Sequence, residues 1–216
     1  RVGCERVGPA GREGWVSAIA EEAEGTAVRC DVTSPEAVEA LAERVGRRLD
    51  VLVNNAGGAF GSGPVAQADA DEWRRMYEVN VISLKLVTAA MLPILRRSIA
   101  PSPGVEVEDV ASIVNITSVA AYTPYEQGAG YNAAKFAARA VNGVLRLELS
   151  GEPIRVIEVA PGMVRTEFSL VRFEGDAARA DAVYDGVHEL SGDDVAAEIV
   201  HACELPPHID LDMVYI

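Results

Sequence analysis

The chain has 216 residues, 49% of them hydrophobic, and a formal net charge of −14; it fits a single domain with a substantial core. The acidic balance has no compensating basic tract, which argues against a nucleic-acid partner, and no long apolar run resembles a membrane span. Cys4, Cys30 and Cys203 stand far apart, and His188, His201 and His208 share no ligand spacing, so free thiols in a reducing, cytoplasmic compartment and no metal site are expected.

Residues 1–4 fit the tail of a strand, and the glycine- and charge-rich residues 5–14 fit a turn. Val16, Ile19, Ala20 and Ala23 then make a helical stripe ending near Gly25. Residues 26–30 predict a short strand with Asp31 at its carboxyl end. Ser34-Pro35-Glu36 opens the next helix with a cap, a proline at the first helical position and an acid in the first turn. Residues 49–53 are near-continuously apolar, the pattern of a parallel strand covered on both faces. They run into Asn54-Asn55-Ala56-Gly57-Gly58, where small residues let backbone approach a ligand closely. From 71 to about 95 the pattern is helical, interrupted around Asn80, with Trp73, Met76, Val87 and Met91 as packing residues. Residues 101–109 read as a surface excursion rich in proline and acids.

Residues 113–117 predict a buried strand closed by Ser118, and a helix follows that carries Tyr131 and Lys135 and continues through Leu149. Residues 154–159 are apolar apart from Arg155 and Glu158, and end at Pro161-Gly162-Met163-Val164-Arg165-Thr166. A looser region, 167–191, a helix through Ile199 and Cys203, and a last strand over 211–216 complete the chain. Strands alternating with helices at this spacing predict a mostly parallel sheet with helices on both faces. Ligands bind outside the carboxyl ends of such strands, where Asp31, residues 54–58, Ser118 and residues 161–166 all fall.

Tyr131 and Lys135 lie one turn apart on one helix face. A phenol, with an ordinary pKa near 10, is a poor acid-base group at neutrality. A close ammonium and a positively charged nicotinamide ring would both favour the phenolate. Tyr131 can then exchange a proton with an alcohol or carbonyl oxygen while a hydride moves at carbon, with Ser118 holding that oxygen. Taken alone, the pair reads more readily as a half-buried packing tyrosine and a solvated lysine. Convergence with the strand ends favours chemistry.

Asn54-Asn55-Ala56-Gly57, Asn80-Val81, Ser118, Tyr131-Asn132-Ala133-Ala134-Lys135 and Pro161-Gly162 occur in an order and spacing that resembles the short-chain dehydrogenase/reductase family from Asp31 onward. The resemblance implies an α/β, Rossmann-like doubly wound parallel sheet in three layers, one domain over residues 1–216. It implies an NAD(P)-dependent oxidoreductase with Tyr131 as acid-base, Lys135 lowering its pKa and binding the nicotinamide ribose, and Ser118 orienting the reacting oxygen. Asn80 is implied to hold a water linking Lys135 to solvent. Asp31 is implied at the adenine, Asn54, Ala56 and Gly57 along the adenosine, and Pro161, Gly162, Val164 and Thr166 beside the nicotinamide. A homotetramer or homodimer through the long central helices is also implied.

Residues 166–168, 171–176, 193–196 and 205–208 look like the branch of NADP-dependent 3-hydroxy acid dehydrogenases, which act on serine, 3-hydroxypropionate and related short hydroxy acids. That branch implies NADP(H) rather than NAD(H), with Arg6 as the candidate for the 2'-phosphate. Arg172 is suited to pair with a substrate carboxylate through two hydrogen bonds; a surface charge or a subunit contact is its alternative. The N-terminal end departs from the family pattern of a first strand and a Gly-x-x-x-Gly-x-Gly turn that cradles the pyrophosphate. The sequence opens at Arg1, and Gly8, Gly11 and Gly14 have another spacing, so a fold lacking its first βα unit is expected, with exposed edges on the neighbouring strands. Two alternatives accompany this reading: a short-chain reductase of another small carbonyl compound, and a catalytically silent truncated relative serving as a binding or regulatory protein.

Overall fold

The computed structural model describes residues 2–5, 21–22, 24–99 and 110–216. Arg6, the stripe of Val16, Ile19, Ala20 and Ala23, and the 101–109 excursion lie outside them. The first strands are β1 (Val2–Glu5) and β2 (Thr26–Arg29), followed by helix α1 (Pro35–Val45) and β3 (Val51–Asn54). Helix α2 (Ala70–Tyr77), a π-helical turn (Glu78–Ile82) and α3 (Ser83–Ser98) form one continuous rod leading to β4 (Ala111–Ile116). A 3-10 turn (Val119–Ala121), the long α4 (Ala129–Glu148) and β5 (Ile154–Ala160) come next. Two short helices, α5 (Phe168–Arg172) and α6 (Ala177–Ala182), then α7 (Gly192–Glu204) and β6 (Met213–Tyr215), finish the chain.

All pairings are parallel, in the order β3-β4-β5-β6 for one sheet and β1-β2 for the other. This is the Rossmann-like doubly wound arrangement, in two pieces. Among the described residues no strand joins β1 to β3; in a doubly wound sheet that is the place of the first strand. Among the described residues nothing pairs with the outer edge of β3, and Val51 is 40% and Val53 41% exposed.

The two pieces share one core. Cys30, Val32, Val38 and Leu41 from the β2–α1 unit pack with Leu52, with Met91 and Leu95 of α3, and with Ile113 and Val156 of the larger sheet. Local chemistry holds the units in place. Ser34 caps α1 by accepting from Ala37 N at 3.2 Å, and Gly46 ends the helix at φ +82°, a conformation that favours glycine. On the opposite face of the sheet, Val114, Ile157 and Val159 meet Ala202 of α7.

Three features correct the sequence reading. The rod over Ala70–Ser98 is, by length and composition, long and apolar enough to cross a membrane, contrary to expectation, because between Val79 and Leu95 it carries only Lys85 as a charge. More than half of its most apolar window is buried in the fold, as a core helix would be. The interruption at Asn80 is not a break but a π turn inside a continuous rod. The two charged residues of β5 are both buried. Arg155 turns its guanidinium under the end of α7, with Nη1 donating to Ala202 O (3.3 Å) and Cys203 O (3.4 Å), and Nη2 to Leu205 O (2.7 Å) and Pro206 O (2.9 Å). A cation there satisfies the carbonyls a helix leaves unpaired at its carboxyl end.

Candidate active site

The β4–β5 ladder runs on past the strands. Thr117 N donates to Val159 O at 2.8 Å and Val119 N to Pro161 O at 3.0 Å, which carries Ser118 out to the carboxyl edge of the sheet. Ser118 caps the 3-10 turn; its Oγ accepts from Ala120 N at 3.2 Å and lies 3.4 Å from Pro161 O. The first turn of α4 is tied to this corner by a residue whose role the sequence did not reveal. Asn132 donates from Nδ2 to Ala120 O (2.8 Å) and Thr123 O (3.3 Å), so Ser118 and Tyr131 are held in one frame.

Tyr131 is buried with its ring edge against Phe168, centroids 5.4 Å apart. Burial pushes its phenol above the ordinary value; the Ser118 hydrogen bond opposes that, Tyr125 adds to it and the Arg172 charge reduces it. Lys135 Nζ sits 5.8 Å from the Tyr131 ring centroid and donates to Ile116 O at 3.0 Å. Burial alone brings the Lys135 ammonium down to about 8. Desolvation is the largest influence on both groups, and the ammonium donates to a strand carbonyl.

Asn80 points from the π turn into the loop after β3. Its Nδ2 donates to Gly58 O and to Met76 O, both at 2.8 Å, and its Oδ1 accepts from Gly58 N at 3.3 Å. Both amide hydrogens of the residue expected to hold a water are thus taken by backbone. A Cβ at Gly57 would lie 2.6 Å from Asn80 Oδ1, so only glycine lets the loop come this close. Asn54 turns inward, donating from Nδ2 to Thr88 Oγ1 (3.1 Å) and Asn115 Oδ1 (2.8 Å), while Asn115 Nδ2 donates to Asn142 Oδ1 (2.8 Å). This amide relay under the strand ends was not legible from the sequence. Asp31 shapes the turn after β2, its Oδ1 accepting from Thr33 N (3.0 Å) and Thr33 Oγ1 (2.7 Å).

A cleft opens at the carboxyl ends of β3 and β4, lined among others by Val32, Asn54, Ala56, Asn115, Thr117 and Lys135. The buried ammonium of Lys135 uses one of its three donors on Ile116 O, and the remaining two suit the hydroxyls of a ribose. These residues fit the nucleoside part of a nicotinamide cofactor. No glycine-rich phosphate turn occurs among the described residues.

The turn beyond β5 is pinned from both sides. Gly162 N donates to Ile216 O (2.6 Å), Tyr184 Oη to Val164 O (3.1 Å), and Thr166 Oγ1 accepts from Phe168 N (3.2 Å) to open α5. Arg172, at the end of α5, donates from Nε to Gly61 O (3.1 Å) and from Nη1 to the Tyr125 hydroxyl (2.9 Å). The structure thus gathers Ser118, Tyr131, Lys135, Asn80 and the 161–166 turn at one edge, with Arg172 on the rim. Asp31 stands apart, at the end of β2. Tyr125, which the sequence reading passed over, belongs to the rim; Gly128 leaves the space its ring occupies.

Comparison with known proteins agrees with this geometry. The family model for short chain dehydrogenase matches residues 4–176. An uncharacterized oxidoreductase of Mycobacterium tuberculosis is 48% identical over 214 residues, covering 99% of this chain and 81% of that protein. Sulfoacetaldehyde reductase 2 of Chromohalobacter salexigens is 38% identical and serine 3-dehydrogenase of Agrobacterium fabrum 36%, each covering 84% of this chain and 70% of its own length. The closed form of serine dehydrogenase complexed with NADP+ superposes with a TM-score of 0.88 at 29% identity, covering 100% of this chain and 83% of its own. The chain belongs to the short-chain dehydrogenase family of oxidoreductases.

Proposed function

We propose that this protein is an NADP(H)-dependent oxidoreductase that interconverts a short 3-hydroxy acid and its carbonyl compound. The observation that carries the reading is the Arg172 guanidinium on the rim, near enough to Tyr131 to act on its phenol and anchored to Gly61 and Tyr125 through Nε and Nη1. Its Nη2 has no protein partner among the described residues and is available to an anion. Relatives named for serine and for sulfoacetaldehyde support the same substrate type, since each compound carries an acid group. The cofactor, when bound, supplies or accepts the hydride. Lys135 holds its ribose, Ala56 and Gly57 border the adenosine with Asp31 at the adenine, and the 161–166 turn borders the nicotinamide. Ser118 fixes the reacting oxygen by a hydrogen bond and Tyr131 passes a proton to or from it.

The same reading takes residues 1–216 as one domain and places the protein in the cytoplasm, in keeping with the free thiols of Cys30 and Cys203. It also takes the enzyme as a homotetramer or homodimer, supported by the exposed apolar side chains Phe136, Val144 and Leu147 along α4.

Titration of the protein with NADPH and NADH, then initial rates on 3-hydroxy acids and their methyl esters, tests the proposal. Arg172→Met is expected to raise KM for the acids by roughly ten- to a hundredfold, as loss of a hydrogen bond to a charged group would, and to leave KM for the esters nearly unchanged. Absence of saturable NADPH binding, or an equal rise in KM for acid and ester, would overturn it.

A further inference from the structure

We infer that Glu158 is a positioning residue for Ser118: its carboxylate closes, from beneath, the turn on which the serine stands. The inference rests on the reading of Ser118 as the group that fixes the reacting oxygen. Glu158 is opposite Asn115 in the β4–β5 register, and side chains two apart on a strand share a face. Glu158, Asn115 and Thr117 therefore lie on the same side of the sheet. At 5% exposure the carboxylate is out of water, a placement that is tolerated only when hydrogen bonds replace the lost solvation.

Its hydrogen-bond partner stands at the entrance to the turn. Thr117, immediately before Ser118, donates from Oγ1 to Glu158 Oε1 at 2.6 Å, the short distance of a charge-assisted bond. The Tyr122 hydroxyl, immediately after the 3-10 turn, donates to Met213 Sδ at 2.7 Å; burial first, and then the nearby Glu158, push its phenol up to about 12. The Arg139 guanidinium, 3.9 Å over the Tyr122 ring, backs the assembly from α4. Beyond this anchor the turn is tight, with Ala121 N donating to Ser118 O (2.8 Å) and Tyr122 N to Val119 O (3.0 Å). The Ser118 side chain is held less firmly, since its contact with Pro161 O is 3.4 Å, long for an O–H···O bond. Backbone position therefore decides where Oγ points. Asn132 fixes that backbone from α4, and Glu158 fixes it from the sheet.

A carboxylate that only stabilises the fold and one that positions Ser118 give different kinetics. Thr117→Val keeps the β-branched shape and removes the anchor; Glu158→Gln removes the charge. In the full chain with NADPH, each is expected to lower kcat by roughly ten- to a hundredfold, the scale of a reacting group displaced by about an ångström. In Glu158→Gln, which lies outside the cleft lining, the Kd for NADPH should stay within about twofold, and Thr117→Ser should keep most of the rate that Thr117→Val loses. In a Ser118→Ala background Thr117→Val should cost nothing further in kcat, because the group it positions is gone. The inference is overturned if Thr117→Val and Glu158→Gln keep kcat within about twofold of the parent, or if Thr117→Val costs the same factor with and without Ser118. If Ser118→Ala alone leaves kcat unchanged, the reading of Ser118 falls, and this positioning role falls with it; that pattern is distinct from the other two.

Discussion

Lys135 carries a cost that can be measured directly. Its ammonium is buried, donates to one carbonyl, and has no ion-pair partner among the described residues. Burial brings its pKa from 10.5 to about 8. Because the folded value lies below the unfolded one, the unfolded chain holds the extra proton between about pH 8 and 10.5, and stability rises with pH across that window. Below it the full cost is present, about 3 kcal/mol at roughly 1.36 kcal/mol per pH unit. Lys135→Met keeps the length of the stem and cannot titrate. Without cofactor, its urea unfolding free energy should exceed that of the parent at pH 7 by up to about 3 kcal/mol, less about 1 kcal/mol for the lost bond to Ile116 O. The advantage should disappear by about pH 10.5. Groups common to both proteins cancel in the difference. The chain has only two lysines, Lys85 and Lys135, so the side-chain amine can also be followed by NMR. A difference independent of pH, or a Lys135 resonance titrating near 10.5, would refute the argument that desolvation governs this group.

Two further outcomes follow from packing. Gly57→Ala forces the loop off Asn80 Oδ1 and should cost about 1–3 kcal/mol as the Gly58–Asn80 bonds are lost; thermal unfolding and NADPH titration read it, and parent-like values in both would contradict the close approach. Arg155→Met leaves four carbonyls at the end of α7 without their donor and should cost at least about 2 kcal/mol. Hydrogen exchange should show residues 200–204 opening first, and unchanged protection there would rule the cap out.

What the sequence made legible was whatever depends on short spacing. Tyr131 and Lys135 share a helix face, Ser118 closes an apolar run, and Ser34-Pro35-Glu36 announces a helix start; all stand where those patterns place them. What it hid depends on partners far along the chain. Asn54, Asn115 and Asn142 are single amides in three separate elements, and only the fold shows that they bond one another. Arg155 and Glu158 looked like impurities in an apolar strand because nothing local reveals a helix end or a threonine hydroxyl waiting for each. The strand carbonyl that accepts from the Lys135 ammonium was likewise invisible in the sequence.

The π turn at Glu78–Ile82 fixes the phase between core and loop. Each residue of a helix advances the side chains by about 100°. Deleting one residue from the turn would restore regular winding, but everything after it would swing by about that angle relative to everything before. If Asn80 kept its grip on Gly58, then Val87, Met91 and Leu95 would rotate out of the core; if they stayed, the amide would face elsewhere. Substitutions along this rod can be absorbed one at a time. A change in its length cannot, so the spacing from Asn80 to Met91 should be the least negotiable distance in the molecule.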